Sequence, residues 1–241
     1  MKKLEGKLFS PTILSLIFLI LSSSFSLAMV IARVIATSEG NKQGDRLYLF
    51  MFWNLFLAWI PFALSFLAVR ILKYSKSTKW MIALILIVWL AFYPNGPYLI
   101  TDLIHLRSHP LVPLWYDAMM LFSFAWNGVL LSFISLNLVQ NLVTKLSNTI
   151  LGWVFVTVVL ALTSFGIYLG RFPRWNSWDI ITNPDDLFLD VLDRILNPFA
   201  HPRTIIFTLM FAAFLIVGYL AFVSGINLIR NSRDRLERGS N

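Results

Sequence analysis

The sequence predicts an all-α membrane protein, a polytopic helical bundle of about six transmembrane helices. Three observations predict this class: 58% of the 241 residues are hydrophobic and only 13% are charged, the mean hydropathy is +0.72, and long apolar stretches fill the chain. Soluble domains have about 25% charged residues, and a membrane-crossing helix needs about 20 apolar residues. We therefore predict one integral membrane domain over residues 1–241, with no separate soluble domain.

Six apolar stretches define the predicted spans. The first follows Lys2, Lys3 and Lys7 and runs past Val30, which is longer than the roughly 7–15 residue core of a signal peptide. We therefore expect it to remain as a span. The predicted spans cover residues 11–36, 47–69, 80–101, 113–143, 150–169 and 203–229.

The third stretch contains a predicted break. Its apolar helix begins at Trp80, and Pro94 and Pro97 flank Asn95 and Gly96 before the apolar character resumes at Tyr98. Two prolines around Asn-Gly interrupt a helix. The pattern fits an ordinary helix end followed by an interfacial turn, and it also fits a discontinuous or re-entrant element that lines a cavity.

A short interfacial amphipathic helix is predicted between spans five and six. Asn183, Pro184, Asp185 and Asp186 combine a capping residue, a first-turn proline and first-turn acids. At helical spacing, one face then carries Leu187, Phe188, Val191, Leu192 and Ile195, and the other carries Asp190, Asp193 and Arg194. Such a helix is expected to lie along the bundle or the membrane surface.

The distribution of Lys and Arg predicts the orientation, because basic loops resist translocation. One side would hold Lys2, Lys3, Lys7, Arg70, Lys73, Lys76, Lys79, Lys145, Arg230, Arg233, Arg235 and Arg238. The other would hold Arg33, Lys42, Arg46, Arg107, Arg171, Arg174, Arg194 and Arg203. The excess on the first side predicts cytoplasmic N and C termini, which would place the polar loops after spans three and five together outside.

Three segments resemble a known family. They are residues 92–106, with the string Pro-Asn-Gly-Pro-Tyr-Leu-Ile-Thr-Asp-Leu, then 115–117, and then 170–179 with Arg-Trp-Asn-Ser-Trp-Asp near its end. They resemble an uncharacterised family of bacterial multi-pass membrane proteins, domain of unknown function 1361. The resemblance runs from the second span to the end of the chain. It implies a bacterial inner-membrane protein and no established activity or site residues.

The polar residues of the two outer loops form a predicted pocket. Arginine forks match phosphate and carboxylate groups, and they also pair with aspartates at a membrane edge. The candidate residues are Asn95, Tyr98, Asp102, His105, Asp117, Arg171, Arg174, Trp175, Asn176, Trp178 and Asp179. For Asp117, a helix-capping role is the stronger interpretation.

Asp102, His105 and His109 follow a D-x2-H-x3-H spacing that would place them on one helix face. A carboxylate with two imidazoles can bind zinc, or can serve acid-base catalysis. The same residues also fit a structural polar network or a solvated loop, and Pro110 disfavours helix at His109. They are weak metal candidates, and the sequence indicates no cofactor.

Three classes of function remain open from the sequence. The first is binding or transport of a small or lipid-derived anion, the second a membrane-embedded hydrolase or transferase acting on a lipid-linked substrate, and the third an assembly or regulatory component without a chemical site. The absence of cysteine excludes thiolate metal sites and disulfides, and no zinc-protease or nucleophile motif is present. The net charge of +8 is explained by loop charges, so the expected partner is the lipid bilayer and not nucleic acid.

Overall fold

The computed structural model describes residues 11–38, 47–74, 79–175 and 179–239. These residues form helices and connecting turns, with no strand among them. The helices are α1 (Pro11–Ser38), α2 (Phe50–Tyr74), α3 (Lys79–Phe92), α4 (Asn95–Thr101), α5 (Leu114–Leu146), α6 (Thr149–Arg171), α7 (Asp179–Thr182), α8 (Pro184–Leu196) and α9 (Pro202–Gly239). Two short 3-10 helices, Asp102–His105 and Pro198–Ala200, follow α4 and α8.

The six predicted spans are confirmed. Six stretches of the described residues are long and apolar enough to cross a membrane, and each coincides with a predicted span. The helices continue past the predicted C-terminal limits, most of all α9, which continues to Gly239 because its basic end still favours helix. The chain is therefore a multi-pass helical membrane protein.

The third span is a broken helix. It ends at Phe92 and restarts at Asn95, so that the turn at Tyr93 and Pro94 lies within the apolar stretch and not at its end. Tyr93 in the turn and Gly96 and Pro97 at the start of α4 are buried, and Pro94 is half-buried, so protein covers most of the break. An interrupted helix is tolerated at membrane depth only when its backbone is covered in this way or lines a water-filled cavity.

The chain divides into two compact units. The first unit comprises Met1–Ala63 with Asn95–Ser132, and the second comprises Leu64–Pro94 with Phe133–Asn241. In the first unit, Gly96 of α4 and Gly128 of α5 bring two helix backbones close together, because a Cβ added to Gly128 would overlap the Gly96 carbonyl oxygen. Small residues allow such close approach in membrane helices.

The second unit contains an aromatic core around Trp89. The indole Nε1 of Trp89 donates to Ser135 Oγ at 2.8 Å, and its ring contacts Tyr93 and Phe155 with centroid distances of 4.8 and 6.0 Å. A smaller apolar cluster forms around Ala68, Ile82 and Leu142. The last span, α9, packs on α6.

Candidate functional site

A buried ion pair joins α1 and α5 in the first unit. Arg33 Nε donates to Asp117 Oδ1 at 2.7 Å and Arg33 Nη2 to Asp117 Oδ2 at 3.1 Å, with both side chains almost completely buried. The guanidinium also lies over the Tyr48 ring, 4.4 Å from its centroid. Asp117 lies in the first turn of α5, where it suits the helix dipole, but its carboxylate pairs with Arg33 and the helix begins earlier, at Leu114. Asp117 is thus paired with an arginine, and the sequence-based capping interpretation is incomplete.

A second group of buried polar contacts surrounds Asp102, the first residue of the 3-10 helix after α4. Its carboxylate is fully buried and accepts a hydrogen bond from Asn54 Nδ2 at 3.0 Å. Nearby along the same segment, Tyr48 Oη donates to the His105 carbonyl oxygen at 2.9 Å, and the His105 ring packs edge-on against Phe50. Tyr48 therefore links the Arg33–Asp117 pair to the end of the third span.

The structure does not place Asp102, His105 and His109 on one helix face. Helical structure ends at His105, and residues 106–109 are irregular. His109 Nδ1 instead accepts a hydrogen bond from the Leu111 amide at 3.2 Å, a local turn contact. No group of three or more His, Asp or Glu suited to a metal ion occurs within the described part of the chain. Helical structure does not reach His109 because Pro110 disfavours helical backbone at the residue before it.

The uncharged amides of the fourth span are bonded to protein groups. Asn127 is fully buried and donates to Ser26 Oγ at 2.9 Å and to the Ser22 carbonyl oxygen at 3.2 Å, which ties α5 to α1. In the second unit, Gln140 accepts from Tyr219 Oη at 2.6 Å. These amides stabilise helix packing, as interhelical amides in membranes commonly do.

The turn at residues 171–175, at the end of α6, is the second place where candidate residues collect. Arg174 is exposed and adopts φ = 68°, the sole positive φ of a non-glycine residue among the described positions. The Trp175 amide donates to the Leu169 carbonyl oxygen at 3.1 Å, and the Trp175 Nε1 to Asp190 Oδ2 at 2.8 Å. A left-handed arginine costs of order 1 kcal/mol and persists only when its surroundings hold it there. The two Trp175 contacts supply that restraint.

Asp190 of α8 also holds Arg194. Arg194 Nη2 lies 2.9 Å from Asp190 Oδ1, and Arg194 Nη1 donates to Thr204 Oγ1 at 3.0 Å. Its guanidinium lies 5.4 Å from the centroid of the Tyr168 ring. Arg194 is therefore neutralised within the second unit, whereas Arg174 is presented on the surface.

The end of α8 carries a pH-sensitive contact. Asp193 accepts from Asn197 Nδ2 at 2.7 Å and lies 2.6 Å from His201 Nε2. The hydrogen bond from Asn197, and then that from His201, lowers the pKa of Asp193 below its ordinary 3.8.

Because the folded pKa is lowered, this contact stabilises the protein above pH 3.8 and is lost as the pH falls through the lower folded value. We expect Asp193→Asn to reduce the melting temperature slightly at neutral pH and to match the wild type in strong acid. Thermal unfolding followed by tryptophan fluorescence at several pH values measures this. A difference that persisted unchanged in acid would assign it to packing and not to charge.

The predicted pocket residues fall into two groups. Asn95, Tyr98, Asp102, His105 and Asp117 belong to the first unit, and Arg171, Arg174, Trp175 and Asp179 to the second. Asn95 and Tyr98 are half-buried, as are Arg171 and Asp179, and Asp179 accepts from Thr182 Oγ1 at 3.3 Å. Asn176 and Trp178 lie outside the described residues. A pocket shared by the two groups stays a prediction.

Sequence reasoning missed two contributors to these sites. Arg33 was counted with the loop charges, although its position within an apolar run was the available signal, since charge inside a span is rare and marks a functional or structural site. Asp190 was predicted on the polar face of an interfacial helix, and only the fold shows that it bonds Trp175. No local sequence pattern predicts the contact between Trp175 and Asp190.

These features define a polytopic helical membrane protein with a broken third span and with buried charges in its apolar helices. Residues 53–218 match the family described as protein of unknown function (DUF1361), which covers more than half of the chain. The chain belongs to this family, and the sequence-based resemblance is confirmed. No curated protein and no solved structure matches it.

Proposed function

We propose that the protein binds or transports a small or lipid-derived anion at an outward-facing polar site that includes the 171–175 turn. The observation that carries the proposal is Arg174, an exposed arginine held with φ = 68° at the end of a membrane span. Strained non-glycine backbone clusters at binding sites, where it positions a side chain. An arginine fork so positioned suits a phosphate or carboxylate.

The neighbourhood of Arg174 supports this ligand class. Asp190, which is half-buried, is engaged by Arg194 and Trp175. Trp175 and Phe172 supply aromatic surface, which is typical of residues at the lipid interface. A lipid phosphate and a free anion present the same chemistry to this turn.

Transport is supported by the buried charges of the first unit. Asp102 and the Arg33–Asp117 pair are buried within apolar stretches long enough to cross a membrane, and such groups commonly mark ion or substrate pathways. Interrupted spans are also a recurring feature of transporter binding sites.

We also propose that both termini are cytoplasmic. Because Arg33 is paired inside a span, it no longer counts among the outer loop charges. The excess of Lys and Arg on the side of the termini therefore becomes larger.

Replacing Arg174 by alanine tests the proposal. We expect affinity for the anion to fall about 10- to 100-fold, since a hydrogen bond to a charged group contributes about 1.5–3 kcal/mol. Binding of phosphatidylglycerol to the detergent-purified protein is measured by native mass spectrometry, and binding of inorganic phosphate by calorimetry. A loss confined to the lipid identifies a lipid headgroup as the ligand, and a loss confined to phosphate identifies a soluble anion.

Two further variants control the experiment. Arg107→Ala removes another exposed arginine that is not held in a strained turn, and it should leave binding unchanged. Arg174→Gly removes the charge while relieving the backbone, so that it should lose affinity as alanine does without loss of folding. Equal binding by the wild type, Arg174→Ala and Arg107→Ala would refute an anion site at this turn.

A further inference from the structure

We propose that α8 is a lipid-embedded brace that fixes the 171–175 turn. The amphipathic helix would lie with its apolar face in the bilayer and with its polar face against the second unit, where Asp190 holds Trp175. This role is independent of whether the turn binds an anion. It follows from the orientation of α8 and from the contacts of Asp190.

Most of the apolar side chains of α8 point away from its unit, whereas Leu187 and Val191 are half-buried. Phe188, Ile195 and Leu196 are 64%, 62% and 66% exposed, and Phe199, in the 3-10 helix that follows, is 95% exposed. The opposite side carries Asp190, which bonds Arg194 and Trp175. A helix that packs on a protein core normally turns its apolar side inward. In α8 the side that faces the unit instead carries Asp190, and most of the apolar side chains are exposed.

We infer that the lipid bilayer covers the exposed apolar side chains of α8. After Phe199 the chain enters the last span within three residues, at Pro202, and that span exposes Ile206, Leu209 and Met210. The exposed apolar residues of α8 are thus followed, within a few residues along the chain, by exposed apolar residues of a predicted membrane span. Amphipathic helices of this kind bury their apolar face about 5–10 Å into the headgroup and acyl boundary.

The polar side of α8 couples the helix to the turn. Asp190 uses Oδ2 for Trp175 Nε1 at 2.8 Å and Oδ1 for Arg194, while Arg194 reaches Thr204 at the start of α9. Trp175 follows the strained Arg174 directly. Fixing α8 in the membrane therefore fixes the residue that keeps Arg174 in its left-handed conformation.

Spin labelling tests the first half of the proposal, because the chain contains no native cysteine. Single cysteines at Leu192, Ile195 and Phe199, and at Asp186 as the polar control, are labelled in vesicles of phosphatidylcholine and phosphatidylglycerol. Asp186 is exposed and lies away from the apolar face at helical spacing. We expect the three apolar sites to be accessible to oxygen and protected from a water-soluble nickel chelate, with the reverse at Asp186. Nickel accessibility at all four sites would overturn lipid embedding, as would dipolar coupling between labels on two copies of the chain.

Spin mobility at the turn tests the second half. A label at Arg174→Cys is compared in the wild-type background and with Trp175→Phe, which removes the indole donor but leaves the Asp190–Arg194 pair. We expect the population of the mobile component to rise about fivefold, the effect of one ordinary hydrogen bond.

Asp193→Asn is the matched control for this comparison, because Asp193 contacts Asn197 and His201 and not the turn. It should leave the spectrum unchanged. An unchanged spectrum with Trp175→Phe, or an equal change with Asp193→Asn, would overturn the brace. Since the readout is mobility and not ligand affinity, this outcome is distinct from failure of the anion proposal.

Discussion

Replacing Asp117 by alanine is expected to destabilise the protein by about 3–5 kcal/mol, the usual cost of removing one partner of a buried ion pair. The loss arises because Arg33, which is 2% exposed, would keep a buried charge without the carboxylate that accepts two of its hydrogen bonds. Thermal unfolding of the detergent-purified protein, followed by its nine tryptophans, measures the change.

Two variants separate pairing from other effects of Asp117. Asp186→Ala removes an exposed acid in the first turn of α8, and it should cost at most the roughly 0.3–1 kcal/mol of a helix-dipole interaction. The double variant Arg33→Met with Asp117→Leu should recover most of the loss, because apolar replacement of a whole buried pair is often neutral. If Asp117→Ala were no more damaging than Asp186→Ala, the pair would not contribute to stability.

Replacing Gly128 by alanine is the second change with a large expected effect. The new Cβ would overlap the Gly96 carbonyl oxygen and would lie 2.9 Å from Leu99 Cδ1. A side chain can relieve an overlap by changing rotamer, but a backbone carbonyl oxygen in a helix cannot. The whole of α4 must therefore move away from α5. We expect a loss of about 3 kcal/mol, at the upper end of the cost of overpacking, measured by the same thermal unfolding.

The other glycines provide matched controls. Gly225→Ala introduces a methyl group with nothing within 4 Å, and it should be neutral or stabilising by up to about 1 kcal/mol. Gly96→Ala should be milder than Gly128→Ala, because the nearest atom is Ser132 Oγ, and adding Ser132→Ala should relieve part of the clash. Equal tolerance of alanine at Gly128 and Gly225 would contradict the close approach of α4 and α5.

The prediction of six spans succeeded because hydropathy and length are local properties of a sequence. The broken third span was predicted as one of two alternatives, since Pro94 and Pro97 indicate an interruption wherever they occur. Local sequence could not distinguish an ordinary helix end from a discontinuous helix. The choice depended on whether other helices bury Tyr93 and Gly96, which is a tertiary property.

The candidate residues were predicted as residue types at a membrane edge and not as contacts. Asp117 was selected as a polar residue at the start of the fourth span, but its partner, Arg33, is distant in sequence. His109 failed as a member of a helical trio because the helix stops at His105. Pairing across long sequence separation leaves no periodic signal, and so pattern reasoning cannot supply it.

The sequence by itself determined that this protein lies in a membrane, how many spans it has and in which order, and that an amphipathic helix precedes the last span. Each of these follows from the local free energy of burying side chains in lipid. Only the tertiary structure decided which charges are paired, which face of α8 is turned outward and which glycines touch. Those features depend on a few kcal/mol of contact between residues far apart in the chain, and such contacts exist only once the helices have packed.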